Sequence, residues 1–349
     1  MRGQAVSHPR GALSVHACEV ALTASGWERE GYGMASMSSD GVRVAPLFER
    51  AAIVGLGLMG GSLGLALRGA ALSEVVVGYD ASPGVAARAT ARGAIDLAGG
   101  SLAETIAGAD LVVIATPTLA AEQILRAVAD QMGHLAPDVV VTDVCSVKAP
   151  LVALATALAQ QSPDLARRFV GGHPMAGSER AGIAAATDAL YRGARWALTP
   201  TPQTAPDALA QTRALVVALG AEALELDAQA HDDAVAGVSH LPLAVAVALT
   251  ETLAADDDWP TLARLAAGGY RDTTRVAASD PLMWRDILLA NRAALLARLD
   301  AFSATLARLR ASVARGDGAE IEARLRAAQA ARQAWDATRG ADDADAGVL

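Results

Sequence analysis

An uncharged run of 17 residues, Ala51 to Leu67 between Arg50 and Arg68, constrains this chain more than any other feature. It opens as a short apolar strand, Ala51–Gly55, and continues as Gly55-Leu56-Gly57-Leu58-Met59-Gly60 into a helix ending near Leu67. A bilayer span needs roughly 20 apolar residues, and glycines at 55, 57, 60, 61 and 64 suit a turn entering a helix better than a span. Strand, then G-x-G-x-x-G, then helix is the context in which that motif binds a dinucleotide. Gly55 permits the tight turn, Gly57 lets the backbone approach a pyrophosphate, and Gly60 lets helix and strand pack closely. Leu58 and Met59 lie where the helix opens, so its free N–H groups and partial positive charge face the phosphates. Asp80, 20 residues after Gly60 at the end of the next strand, can hydrogen-bond the adenosine ribose and repels a 2′-phosphate. The nearest arginine beyond it is Arg88. These residues favour NAD over NADP as cofactor.

Glu74–Asp80, Leu111–Thr116 and Val139–Thr142 read as further buried strands, with a helix over Pro83–Arg92. Near-continuous Val/Ile strands alternating with helices imply a parallel sheet covered on both faces. Thr116 and Pro117 end one strand where a nicotinamide ribose would lie, at the carboxyl edge. Phe169–Gly172 and Trp196–Thr199 read as strands, Ala205–Leu219 as a helix, and Glu222–Leu226 closes the sheet. Beyond about Asp227 the periodicity is helical, over His231–Ala254, Thr261–Ala267, Pro281–Arg310 and Ala319–Thr338. Leu288, Leu295, Leu299 and Leu306 fall near heptad spacing, which fits helices shared across a dimer and equally a stripe packed within one chain. The expected fold is an α/β Rossmann-type dinucleotide-binding domain over 48–227, then an all-α domain over 228–338. Residues 1–47 show no sustained period and read as a disordered extension or a mis-assigned start, with Met34 or Met37 as the alternative first residue. Residues 339–349 are small and acidic and read as a disordered tail.

The formal charge of −9 argues against a nucleic-acid partner or an anionic membrane surface. Two cysteines, Cys18 and Cys145, make neither a disulfide framework nor a Cys-rich metal site, and a reducing cytoplasm fits them. No stretch reads as a signal peptide. Of the 29 basic residues 28 are arginine, so arginine is the ordinary cation of this chain and Lys148 is its single lysine.

Three polar segments stand in apolar surroundings: TDVCSVK (142–148), GGHPMAGSE (171–179), and Gly268–Arg275 followed by Asp280–Asp286. His173, between a Gly pair and a Pro, is placed by backbone geometry. A lone histidine is more often structural than catalytic, but a dinucleotide fold that needs a base, with Gly, Ser and Glu nearby, reverses those odds. No His/Cys/Asp set has metal-ligand spacing.

With GLGLMGG (55–61), VSHLP (238–242) and RDTTRVAASDPLMWRDI (271–287), these segments appear in the order found in the prephenate/arogenate dehydrogenases of tyrosine biosynthesis, and Ala51 to about Leu309 resembles that family. The resemblance implies oxidation of a cyclohexadienol by NAD(P) with loss of CO2 from the ring, and a helical domain intertwined in a homodimer. It implies that His173 accepts the ring hydroxyl proton, that Ser146 bonds the same hydroxyl and orients His173, and that Arg275 grips the ring carboxylate. Glu179, Asp272 and Arg275 match a gating ionic network, with Asp272 from the partner subunit; Arg271 and Trp284 match flanking positions. Leu243 departs from the pattern, because relatives that prefer prephenate often carry a second histidine there. That leaves prephenate and arogenate both open as substrate. His240 reads equally as a site residue and as a helix-start residue satisfied by backbone, and Lys148 as a structural residue of its turn. Two readings compete with the family: another two-domain β-hydroxyacid or imine dehydrogenase, which usually has a catalytic lysine in its helical domain, and an NAD-sensing regulatory protein. This helical domain has no lysine.

Overall fold

The computed structural model describes residues 45–177 and 180–346, with side chains described through 338. The extension expected over 1–47 lies outside the described residues except for 45–47, as do Cys18 and Glu179. The sheet region runs β1 (Phe48–Val54), α1 (Leu58–Gly69), β2 (Ser73–Tyr79), α2 (Val85–Ala91), β3 (Leu97–Ala98), α3 (Leu102–Ile106), β4 (Leu111–Ile114), α4 (Thr118–Gln131), β5 (Val140–Asp143), α5 (Ala149–Leu158), α6 (Pro163–Arg168), β6 (Phe169–Pro174), β7 (Arg195–Thr199), α7 (Pro206–Ala218) and β8 (Glu222–Glu225). The helical region follows as α8 (Ala228–Val235), a π-turn (Ala236–His240), α9 (Leu241–Ala254), α10 (Trp259–Leu265), α11 (Gly268–Thr274), a 3-10 turn (Arg275–Ala278), α12 (Pro281–Ala290), α13 (Arg292–Ala314) and α14 (Gly318–Ala346).

The strands form one eight-stranded sheet in the order β3-β2-β1-β4-β5-β6-β7-β8. The order reverses between β1 and β4, which opens a crevice at the carboxyl ends of the strands. Alternate residues feed the two faces. Ala51, Ile53, Leu111, Val113 and Val140 pack with Leu63 and Leu67 of α1 and Leu215 of α7. Ala52, Val54, Val112, Ile114 and Val141 pack with Leu125 and Val128 of α4 and Leu151 of α5. Double burial is why these strands read as unbroken apolar runs.

Three features differ from the sequence expectation. First, β7 runs antiparallel to β6. The chain reaches it through residues 175–194, whose only helical piece among the described residues is a 3-10 turn at Ile183–Ala185, and a connection without a crossover helix returns along the same edge. Second, the expected long helix over Pro281–Arg310 is broken at Asn291 (φ −105°, ψ 31°), whose side chain is drawn into the site described below. The heptad stripe divides with it: Leu295 is buried in its own chain, whereas Leu306 is 52% exposed. Third, α14 continues to Ala346, beyond Thr338, as the alanine-rich sequence allows. Among the described residues the helical run Ala228–Ala254, and not Ala51–Leu67, is long and apolar enough by length and composition to cross a bilayer. It carries buried His231, Asp232 and His240, which bond within the fold.

Candidate active site

Five consecutive strand ends build the site: β2, β1, β4, β5 and β6 are mutually parallel, stop at the same edge and hand over to polar turns. After β1, Gly55 has φ +96°, and a Cβ there would lie 2.5 Å from the Ala115 carbonyl oxygen. A Cβ on Gly60 would lie 1.9 Å from the Gly55 oxygen, so only glycine lets α1 start this close to the strand. A Cβ on Gly57 would meet nothing within 4 Å, which leaves open space over the start of α1. Leu58 and Met59 form the first turn of that helix, which has neither a side-chain cap nor an acid in it. A phosphate can therefore take its N–H groups without competition.

Asp80 follows β2 and accepts from Leu56 N at 2.9 Å and from Ser82 N at 2.8 Å. It ties the glycine turn to the second strand, and each oxygen keeps a lone pair for a ribose hydroxyl. After β4, the Thr116 hydroxyl is buried without a hydrogen-bond partner among the described residues, and Pro117 precedes α4. A buried polar atom left unpaired is costly, and a bound nucleotide ribose or amide would satisfy it. The open cradle, the uncapped helix and the orphaned hydroxyl fit a dinucleotide.

After β5 the backbone carries Ser146, half-buried, and Cys145, whose Sγ lies 3.6 Å from the Thr116 carbonyl oxygen. Burial first, and the Asp143 carboxylate second, raise the Cys145 thiol far above its ordinary range, so it stays protonated. His173, near the end of β6, is buried. Its Nδ1 lies 2.8 Å from His231 Nε2, and His231 Nδ1 lies 2.8 Å from Asp232 Oδ1. Asp232 also accepts from Lys148 N and Ala149 N, each at 2.8 Å. These contacts fix the protons. A carboxylate that accepts makes His231 carry its proton on Nδ1, so His231 Nε2 accepts from His173 Nδ1–H. His173 therefore presents a bare Nε2 lone pair. Burial, then the neighbouring His231, Lys148 and His240, hold its pKa well below 6.5.

His240 is buried, with Nδ1 3.3 Å from Asn291 Nδ2 and its ring 5.9 Å from Trp284, edge-on. Burial lowers it to about 4, the Asp232 carboxylate opposing. Asn291 also donates to the Asp232 carbonyl at 2.7 Å. With Nδ1 accepting from Asn291, His240 offers an Nε2–H; the Trp284 Nε1–H is buried and has no partner among the described residues. Leu243 is buried one turn further along α9.

The structure thus brings His173 together with His231, Asp232, His240, Asn291 and Trp284. Sequence reasoning passed over His231, Asp232 and Asn291. Arg271 and Asp272 are exposed and pair with each other at 2.9 Å. Arg275 is exposed and has no side-chain partner among the described residues; its 3-10 turn packs on α9.

Comparison with known proteins gives a consistent picture. Residues 63–225 match the model of the prephenate dehydrogenase nucleotide-binding domain, and 227–327 that of the prephenate dehydrogenase dimerization domain. The chain is 36% identical to the prephenate dehydrogenase of Bacillus subtilis, over 77% of this chain and 71% of the relative. Among solved structures, it is similar to the prephenate dehydrogenase of Aquifex aeolicus in complex with hydroxyphenyl propionate and NAD+ (33% identity, TM-score 0.74, 82% of this chain and 97% of that one). It is also similar to the arogenate dehydrogenase of Synechocystis (32% identity, TM-score 0.67, 82% and 99%).

Proposed function

Because the chain belongs to the prephenate dehydrogenase family, we propose that it catalyses the NAD-dependent oxidative decarboxylation of prephenate to 4-hydroxyphenylpyruvate in tyrosine biosynthesis. The observation that carries the chemistry is the buried chain His173–His231–Asp232, which leaves one unprotonated imidazole nitrogen beside the dinucleotide crevice.

Bound NAD supplies the hydride acceptor. His173 Nε2 takes the proton of the ring hydroxyl as that carbon loses its hydride, and Nδ1–H stays bonded to His231. The resulting imidazolium is stabilised through His231 by Asp232, as an acid orients and supports the base of a hydrolytic triad. When the carboxylate carbon leaves as CO2, the electrons of that C–C bond aromatise the ring, and His173 returns its proton to the phenol oxygen. The reaction consumes no net proton, so a base that holds one briefly suffices. Ser146, in the turn after β5, is assigned to the same hydroxyl. His240 Nε2–H and Trp284 Nε1–H are the neutral donors available to the rest of the substrate.

Arg275 is assigned to the ring carboxylate, with Glu179 and Asp272 in the gating ionic network that the family resemblance implies and Arg271 flanking it. The exposure of Arg275, Asp272 and the apolar helical faces in one chain supports a homodimer that completes the site, with Asp272 reaching that of the other copy. The division of labour near Asp227 is supported by the two family models, which meet there. A cytoplasmic enzyme without membrane or nucleic-acid partners suits this biosynthetic role.

Leu243 favours a second reading. A buried leucine offers no hydrogen bond where prephenate-preferring relatives often place a histidine, which leaves arogenate as the alternative substrate. Turnover of prephenate and arogenate, each with NAD and NADP, tests both readings. NAD-dependent turnover with prephenate ahead is expected; preference for arogenate selects the second, and turnover of neither removes both.

A further inference from the structure

Where this chain needs a cation it uses arginine 28 times, and its one lysine is fully buried against the strand that carries the base. The β5–β6 ladder explains the need for it. Those strands pair only at Val141–Phe169 and Thr142–Val170. From Gly171 onward β6 pairs with β7 alone among the described residues, because the β5 ladder ends at Thr142–Val170. Gly172, immediately before His173, has therefore lost its backbone partners on the β5 side.

Two side chains replace them. Gly172 N donates to Asp143 Oδ1 at 3.1 Å, and Lys148 Nζ donates to the Gly172 carbonyl at 2.6 Å. Lys148 Nζ and Asp143 Oδ2 form an ion pair, and Oδ2 also accepts from Cys145 N at 2.9 Å. The backbone N–H of the same lysine donates to Asp232, at the far end of the imidazole chain. The contacts close a ring: Lys148, Gly172, His173, His231, Asp232, and back to Lys148.

We propose that Lys148, paired with Asp143, is the positioning residue for the base: by its ammonium it fixes the Gly172 peptide, by its backbone it fixes Asp232, and so it sets where His173 Nε2 meets the substrate hydroxyl. This rests on the dehydrogenase reading above. Stability alone is a poor reason for such a pair, because a buried ion pair is often no better than an apolar replacement. Size accounts for lysine. The slot is closed to solvent: the side chains of Lys148 and Asp143 are both fully buried. A compact ammonium fits there, whereas a planar guanidinium needs more width and a different donor fork.

The test uses full-length Lys148→Met/Asp143→Asn, which removes both charges and leaves neither unpaired, together with Lys148→Arg. In the double variant NAD affinity should stay within threefold of wild type and KM for the substrate within threefold. Its kcat should fall about 10²-fold, the size of effect that a small misplacement of a reacting group produces. The groups facing His173 are His231 and Asp232 on α8, His240 on the π-turn, Asp143 at the end of β5 and Lys148 at the start of α5. Loss of the Lys148 charge, which depresses His173, should move its titration upward, read by NMR on histidine-labelled protein independently of turnover. A folded double variant with kcat within threefold of wild type and an unmoved His173 titration overturns the proposal. Lys148→Arg should lose at least tenfold in kcat; wild-type kcat in that variant overturns it as well, and decides the matter if the double variant does not fold. If the wild-type protein turns over neither substrate, the dehydrogenase reading fails, while the NMR titration still shows whether Lys148 acts on His173.

Discussion

The sheet region is finished within one chain; the helical region is not. On the sheet, Ala51, Ile53, Val112, Ile114 and Val141 are fully buried, and helices cover both faces. In the helical region α10 and α11 bury no residue, and α13 buries only Leu295 and Ser312. Leu299, Leu306 and Val313 recur at seven-residue spacing on α13, and the last two are 52% and 61% exposed. Such a stripe is the surface through which the proposed homodimer would associate. The same contrast holds for chemistry. The glycine turn, Asp80, Thr116 and the His173 chain are assembled by one chain, whereas Arg271, Asp272 and Arg275 stay in solvent. The cofactor site and the base are properties of a protomer; the grip on the substrate carboxylate is proposed as a property of a pair.

The largest effect should come from the protomer side. His173→Ala should lower kcat by about 10²–10⁴-fold, the usual contribution of a general base. NAD affinity and oligomeric state should not change, because the substitution touches neither the glycine turn nor α13. Steady-state kinetics and NAD titration check this; kcat within tenfold of wild type would sink the assignment of the base.

A smaller, opposite pattern should come from the pair side. Leu306→Asp places a charge on the open stripe, and burying an unpaired charge costs about 3–5 kcal/mol. Association should weaken by roughly 10²-fold or more, seen as monomer by light scattering. NAD should still bind within threefold of wild type, while KM for the cyclohexadienol rises at least tenfold. A monomeric variant with unchanged KM would break the comparison, since Arg275 would then work without a second copy.

What could be read from the sequence divides along the same boundary. Strands buried on both faces are continuous runs of Val and Ile, so β1, β2, β4 and β5 were plain, and the glycine turn came with its own context. The two-residue β3 and the antiparallel β7 are set by pairing partners, which local sequence does not carry. His173 stood out because glycines and a proline leave it no helix to belong to. His231 and Asp232 did not, because His-Asp-Asp after a helix-capping Asp227 looks like an ordinary solvated first turn. Nine residues separate His231 from His240, which in an α-helix puts them on opposite faces, about 180° apart. The π-turn at Ala236–His240 absorbs roughly one residue, so the separation acts as eight and the angle closes to about 80°. A π-turn has no reliable local signature, and Asn291, whose side chain bonds across it, looked like part of a long helix.

The smallest effect expected is on pH, and it separates chemistry from stability. Burial depresses His173 well below 6.5 and His240 to about 4. The base is active when neutral, so lowering the pH from 8 to 5.5 should leave kcat at saturating substrate almost flat. Stability should not stay flat. In the unfolded chain these histidines take up protons near 6.5; in the folded chain they do not. The unfolded state then binds more protons, so stability is full above about pH 6.5 and is lost as the pH falls towards 4. The slope is at most about 1.4 kcal/mol per pH unit for each histidine. Melting temperature should therefore drop between pH 6.5 and 5 while kcat holds. An acid limb in kcat centred near 6.5 would mean that solvent reaches His173, and that the sheet region does not close its own base away from water.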